Sequence, residues 1–185
     1  MNLKDISRYF TENFDIRYII RGIIDGSLSS LGVIIGASGG DISLIITAGI
    51  GGGVANGISN ILGALTAERA IVESVRISQE KVLLKEDGYL KSSLAYREAL
   101  NRTTISGIWD GLSTTFGSII PITPFFIFPK EVALIFAVGI TTAILFVLGV
   151  FIGKISKENL VYSGFKMAVA GLLVALISFV IEHML

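Results

Sequence analysis

Five stretches of about twenty mostly apolar residues, near 21 to 39, 43 to 66, 105 to 127, 131 to 153 and 161 to 182, dominate this chain of 185 residues. Each is long enough for an α-helix to cross the hydrocarbon core of a bilayer. The chain is therefore read as an all-α membrane protein with five transmembrane helices. Composition agrees: 52% of residues are hydrophobic and 16% charged. A mean hydropathy of +0.75 leaves more apolar surface than a soluble domain of this size buries. The first stretch, full of Gly and Ser, is the weakest by hydropathy, and an internal repeat argues for it.

DGSLSSLG from Asp25 to Gly32 lines up with DGLSTTFG from Asp110 to Gly117, 85 residues later. Gly22-Ile23 matches Gly107-Ile108 in front, and Ile34-Ile35 matches Ile119-Ile120 behind. Leu44-Ile45 and Gly49-Ile50 return as Leu134-Ile135 and Gly139-Ile140 at an offset of 90, so the second copy has five added residues in its outer loop. Spans 1-2 and 3-4 thus read as a parallel repeat, a plan on which some transporters are built. A carboxylate near the middle of a membrane helix costs roughly 2.5 to 3.5 kcal/mol on insertion scales. Asp25 and Asp110 are accordingly read as ion-handling groups, the alternative being helix caps or hydrogen-bonding partners for neighbouring Ser and Thr.

Of the 15 Lys and Arg, all but Lys130 lie before or at the opening of span 1, between spans 2 and 3, or around the connection of spans 4 and 5. The positive-inside rule then places the N-terminus in the cytoplasm and the C-terminus outside. The first twenty residues lack the continuous apolar core of a signal peptide and are expected to stay in the mature chain. Leu3, Ile6, Phe10 and Phe14, at helical spacing among charges, read either as an interfacial helix or as a mobile leader. The chain divides into an interfacial segment with spans 1-2 (1–66), a cytoplasmic helical hairpin (67–103) and spans 3-5 (104–185). The hairpin is expected to be helical from Leu65 to about Lys85, to break at Asp87-Gly88, and to resume from about Leu90.

Carboxylate, amide and backbone oxygens, with no cysteine in the chain, suit hard or borderline divalent cations such as Mg²⁺, Mn²⁺ and Fe²⁺. Protons are the other candidate cargo. Asn56 and Asn60 are one helical turn apart, where they either ligate the cation or make hydrogen bonds between helices. Glu68, Glu73, Glu80 and Glu98 on the hairpin read as possible metal ligands. The competing reading is a solvated surface, because Arg69 with Glu73, Arg76 with Glu80, Asp87 with Lys91 and Glu98 with Arg102 are i, i+4 pairs. Glycines at four-residue intervals, including Gly22 and Gly26 and then Gly49, Gly53 and Gly57, predict close helix packing. No nucleotide motif and no nucleic-acid signature is present: GIGGGVANG fails the dinucleotide fingerprint at Val54 and Asn56. His183, the one histidine, is read as an interfacial end residue. No Ser-His or Cys-His pair and no zinc-type cluster supports an enzyme, and a non-transporting scaffold or sensor is the alternative to a transporter.

The whole chain resembles the vacuolar iron transporter family, through the Asp-Gly and small-residue helix at Asp25 to Gly36, GISNILGALTAERA from Gly57 to Ala70, GSIIPITPFF from Gly117 to Phe126 and SGFKMAVAGLLVALISFVI from Ser163 to Ile181. The resemblance implies five helices, a cytoplasmic N-terminus, a homodimer and a cytoplasmic helical module. It also implies export of Fe²⁺, and often Mn²⁺, from the cytosol in exchange for protons, with Asp25 matching the family's first-span aspartate. Apart from that transported ion no cofactor is expected, and the partners are divalent metal ions, protons, lipid and a second copy of the chain. Two positions depart from the pattern: Asn60 stands where better-known members carry methionine, and Gly52 where they carry glutamate. Loss of a thioether and a carboxylate weakens preference for Fe²⁺. The hairpin has no methionine between Ala67 and Thr103.

Overall fold

The computed structural model describes residues 16–184, and among them every regular element is helical. In order these are α1 (Ile16–Gly36), α2 (Ile42–Gly63), a π-helical turn (Ala64–Glu68), α3 (Arg69–Val82), a 3-10 turn (Tyr89–Ser92), α4 (Leu94–Ile119), a second 3-10 segment (Ile120–Phe126), α5 (Lys130–Ser156) and α6 (Leu160–Met184). The two readings of Leu3, Ile6, Phe10 and Phe14 lie outside the described residues.

Four segments are long and apolar enough to cross a membrane: α1, the continuous run Ile42–Val82 that carries α2 through the π turn into α3, α5 and α6. Helix α4 is not among them, for a reason visible in its burial. Ser106, Asp110, Ser113, Thr114 and Ser118 are buried, while Ile108, Leu112, Phe116 and Ile119 are exposed. This inverts the pattern of a soluble amphipathic helix, and averaged hydropathy penalises polar residues that only other helices meet.

Local chemistry sets the boundaries. Asp41 caps α2, its carboxylate accepting from the Leu44 backbone N–H at 2.7 Å, a standard way to satisfy an orphan donor. Gly88, at φ 90°, provides the left-handed turn between α3 and α4, where a side chain would be strained. Ser93 then caps α4, which runs without interruption from the hairpin into the helix bundle. Pro121 and Pro124 convert its continuation into the 3-10 segment, because proline cannot donate to the α-helical ladder. At the same end Lys130 Nζ donates to the Gly40 carbonyl at 3.2 Å, joining the start of α5 to the α1-α2 connection.

Helix α4 packs against both α1 and α2, and α5 packs against α6. Glycine makes the first two contacts possible. A Cβ on Gly26 would lie 1.9 Å from the Thr114 carbonyl oxygen, and one on Gly57 2.6 Å from that of Gly111. The four-residue glycine pattern is thus used between helices of one chain, consistent with the small-residue packing of membrane helices. Leu31, Ile34, Ile45, Ile122, Phe125, Ala133, Ala137 and Ala175 form the apolar core beside these crossings.

Candidate functional site

Arg21, Asp25 and Ser29 follow one another at single-turn spacing along α1 and so share one face. Across from them α2 presents Asn56 and Asn60, and α4 presents Asp110 and Thr114. Asp25 Oδ2 accepts from Asn60 Nδ2 at 2.8 Å and from Asn56 Nδ2 at 3.1 Å. Asn56 Nδ2 also donates to Ser29 Oγ at 2.9 Å, and Asn60 Nδ2 to Thr114 Oγ1 at 2.8 Å. Thr114 Oγ1 in turn donates a hydrogen bond to the Asp110 backbone carbonyl at 2.8 Å. Asp25, Asn56 and Asn60 are half-buried, so this is a carboxylate held by two amides between three helices, with part of it reachable.

Asp110 is in a different state. It is fully buried and receives Arg21 as a two-point ion pair, Nε to Oδ1 at 3.2 Å and Nη2 to Oδ2. Arg21 Nη2 also lies 4.0 Å from Glu68 Oε1 in the π turn, and the Arg21 side chain is 57% exposed. The Tyr18 ring lies beneath the guanidinium, 5.2 Å from its centroid. Asp110 and Glu68 therefore gather around Arg21, and Thr114 links that group to the Asp25 cage.

Glu73 and Glu80 are held elsewhere, on the hairpin, by Arg76. The Arg76 guanidinium donates to Glu73 Oε1 at 2.5 Å, to Glu80 Oε2 at 2.5 Å and to Asp87 Oδ1 at 3.0 Å. Tyr96 Oη donates to the other Glu73 oxygen at 2.6 Å. Glu80 accepts further from the Leu90 and Gly88 backbone N–H groups at 2.7 and 3.1 Å. The Glu73 carboxyl is held down to about 2 by Arg76 first and the Tyr96 hydroxyl second. Burial alone would push Glu80 up, but the Leu90 N–H, Arg76 and the Gly88 N–H together hold it below the ordinary carboxylate range. Arg76 is raised, chiefly by Glu73. Every oxygen of these two glutamates has a protein donor, which is how a turn is fastened. Of the i, i+4 pairs expected on the hairpin, Arg76 with Glu80 forms, whereas the ion pairs of Glu73 and Asp87 are to Arg76.

The eight residues singled out as ligands thus fall into separate places: Asp25, Asn56 and Asn60 together, Asp110 and Glu68 around Arg21, Glu73 and Glu80 around Arg76, and Glu98 exposed on α4. Among the described residues no group of three or more His, Cys, Asp or Glu converges as a metal would require. The oxygens gathered at Asp25 are those of one carboxylate, two amides and two hydroxyls. Sequence reasoning missed Ser29, Thr114, Arg76, Tyr96 and the part played by Arg21. Arg21 had a legible signal, an arginine one turn before Asp25 inside an apolar stretch. Arg76 had none beyond its pairing with Glu80.

Residues 69–183 match the model of the VIT family. The chain is also similar to an uncharacterized protein of Methanocaldococcus jannaschii, 58% identical over 182 residues that cover 98% of this chain and 95% of the relative.

Proposed function

Because the chain belongs to the VIT (vacuolar iron transporter) family and is a multi-pass integral membrane protein, we propose that it moves divalent metal cations, Fe²⁺ and/or Mn²⁺, out of the cytoplasm by way of Asp25. The observation that carries this reading is the half-buried Asp25 carboxylate, gripped by Asn56 and Asn60 between helices whose outer surfaces are apolar. Amide groups present a donor on one side and an acceptor on the other. A cation arriving at Asp25 turns both amides over, so that their oxygens replace their N–H groups around the ion. Ser29 and Thr114 hydroxyl oxygens lie within reach of the same amides. One carboxylate with neutral oxygens suits Mn²⁺ and Fe²⁺ without a strong preference for either. In the return step the carboxylate carries a proton in place of the metal, which makes the carrier an exchanger.

The proposal includes α4 as the fifth span, in the third position along the chain, with its polar face turned to α1 and α2 and its apolar face to lipid. The N-terminus is assigned to the cytoplasm: all basic residues but one fall on that side, and the remaining Lys130 is fastened to Gly40 at the opposite end. A homodimer is part of the reading. Thr47, Gly51, Ala55 and Ser59 form an exposed line of small residues on α2, and a Cβ on Gly51 would meet nothing within 4 Å. Such a face suits close helix contact, and a second copy there would shield the polar cage from lipid. Glu73 and Glu80 take structural ion-pair roles around Arg76.

The test is uptake of Fe²⁺, Mn²⁺ and Co²⁺ into liposomes carrying the protein and a metal-quenched dye, with and without a pH gradient. Quenching above that of empty liposomes, faster with the metal-receiving side acidic, is the expected result. No flux for any of the three metals would favour the scaffold reading, and flux indifferent to the gradient would remove proton exchange.

A further inference from the structure

We infer that Arg21 is a tethered cation, occupying the place between Asp110 and Glu68 that a divalent ion would otherwise take at the end of the Asp25 cage nearer the N-terminus of α1. The inference rests on the transport reading for its meaning, though not for its test.

Three observations meet here. Asp110 has no exposed surface, yet both of its carboxylate oxygens are turned to the Arg21 guanidinium. A buried ion pair is poor value as a stabiliser, since apolar replacements of similar volume often do as well, so stability alone does not account for it. The guanidinium itself is only half enclosed, its side chain being 57% exposed, and the second carboxylate, Glu68, stands 4.0 Å from Nη2. One nitrogen thus sits between carboxylates from two different elements, α4 and the π turn, with one side exposed. Finally, the Asp110 carbonyl, Thr114 and Asn60 connect this place to Asp25 by successive hydrogen bonds.

Arg21 and Asp25 are one turn apart on the same face of α1, so an ion reaching Asp25 from this end meets the guanidinium first. Like charges at such distances repel strongly where water is scarce, and a divalent ion and the guanidinium do not share the two carboxylates. Admission is therefore an exchange: the guanidinium swings out through its exposed side, and the arriving ion takes over Asp110 and Glu68. Asp110 is never left buried without a partner. The internal cation also lowers the resting negative charge of the mouth, which keeps binding weak enough for release.

The experiment is a Mn²⁺ titration of detergent-solubilised protein, reading free Mn²⁺ by electron paramagnetic resonance. Arg21→Gln should bind Mn²⁺ roughly tenfold or more tightly than wild type. Arg21→Gln combined with Asp110→Asn should lose that gain. Arg21→Lys, which keeps the charge but not the two-point geometry, should fall between wild type and Arg21→Gln, and it serves where Arg21→Gln folds poorly. Equal affinity in wild type, Arg21→Gln and Arg21→Lys overturns the inference, as does a gain that survives Asp110→Asn. Binding is measured without transport, so tighter binding with no flux would remove the transport reading alone, and flux with unchanged binding would remove this inference alone.

Discussion

Gly26→Ala should unseat α4, and the structure says by how much. The new Cβ would stand 1.9 Å from the Thr114 carbonyl oxygen and 2.9 Å from the Ser118 backbone nitrogen. Both are backbone atoms of a packed helix, so no side chain can rotate away. Reaching the 3.4 Å at which ordinary contact begins requires α1 and α4 to part by about 1.5 Å. That movement stretches the 3.1 Å bond from Ser27 Oγ to the Gly117 carbonyl and the 3.2 Å bond from Arg21 Nε to Asp110 Oδ1. Overpacking a tight contact costs about 1 to 3 kcal/mol, and a rigid backbone neighbour puts this case at the upper end. For a chain of this size about 3 kcal/mol lowers the melting temperature by roughly 6 to 12 °C. Gly139→Ala is the control: its Cβ meets nothing within 4 Å, and alanine gains up to about 1 kcal/mol of helix propensity. Thermal unfolding in detergent, followed by tryptophan fluorescence, should show a clear drop for Gly26→Ala and none for Gly139→Ala. Equal melting temperatures for Gly26→Ala and wild type would refute the claim that backbone contact at glycine seats α4.

Asn60→Met should shift the ratio of Fe²⁺ to Mn²⁺ flux several-fold toward Fe²⁺, since a thioether favours the softer ion; parallel uptake assays with the two metals read this directly, and an unchanged ratio would separate position 60 from the ion path. The hairpin lock should fail in acid. Glu73 is depressed to about 2, so its stabilising contribution is complete above the ordinary carboxylate value of about 4.3 and is lost as pH falls from there toward about 2. Hydrogen exchange at Gly88 and Leu90, corrected for the intrinsic pH dependence, should lose protection below about pH 4, and Glu73→Gln should show part of that loss at pH 7. Replacing Arg76 with methionine should remove the same protection at neutral pH, leaving three carboxylates without their shared partner; retained protection would mean that the turn holds by its backbone alone.

Much of the helix plan was legible because apolar length and glycine spacing are written directly into spans such as Lys130–Ser156. Helix α4 shows where this runs out: its start belongs to a polar hairpin and its continuation to the bundle, so no window of hydropathy marks its true extent, Leu94–Ile119. The break at Gly88 was readable from local chemistry, since glycine takes the left-handed turn that other residues resist. The Asp25 cage was half legible. One-turn spacing put Asn56 beside Asn60, but which helix they would face depends on how α2 rotates against α1 and α4, a matter of packing. The pairing of Asp110 with Arg21, 89 residues apart, is likewise a product of the helix crossing. Asp25 and Asp110 look alike in the repeated sequence and end in opposite circumstances, one held by amides and half open, the other buried and neutralised.

The central claim is that a cation passes through the carboxylate of Asp25, and the most direct measurement is Mn²⁺ flux in liposomes for Asp25→Asn, matched to wild type for quantity and thermal stability. The substitution keeps size and hydrogen-bonding capacity while removing the charge. Flux reduced to that of empty liposomes in a folded Asp25→Asn protein is the predicted result; flux within about twofold of wild type would contradict the account, because the amide removes the charge that draws a divalent cation to this position.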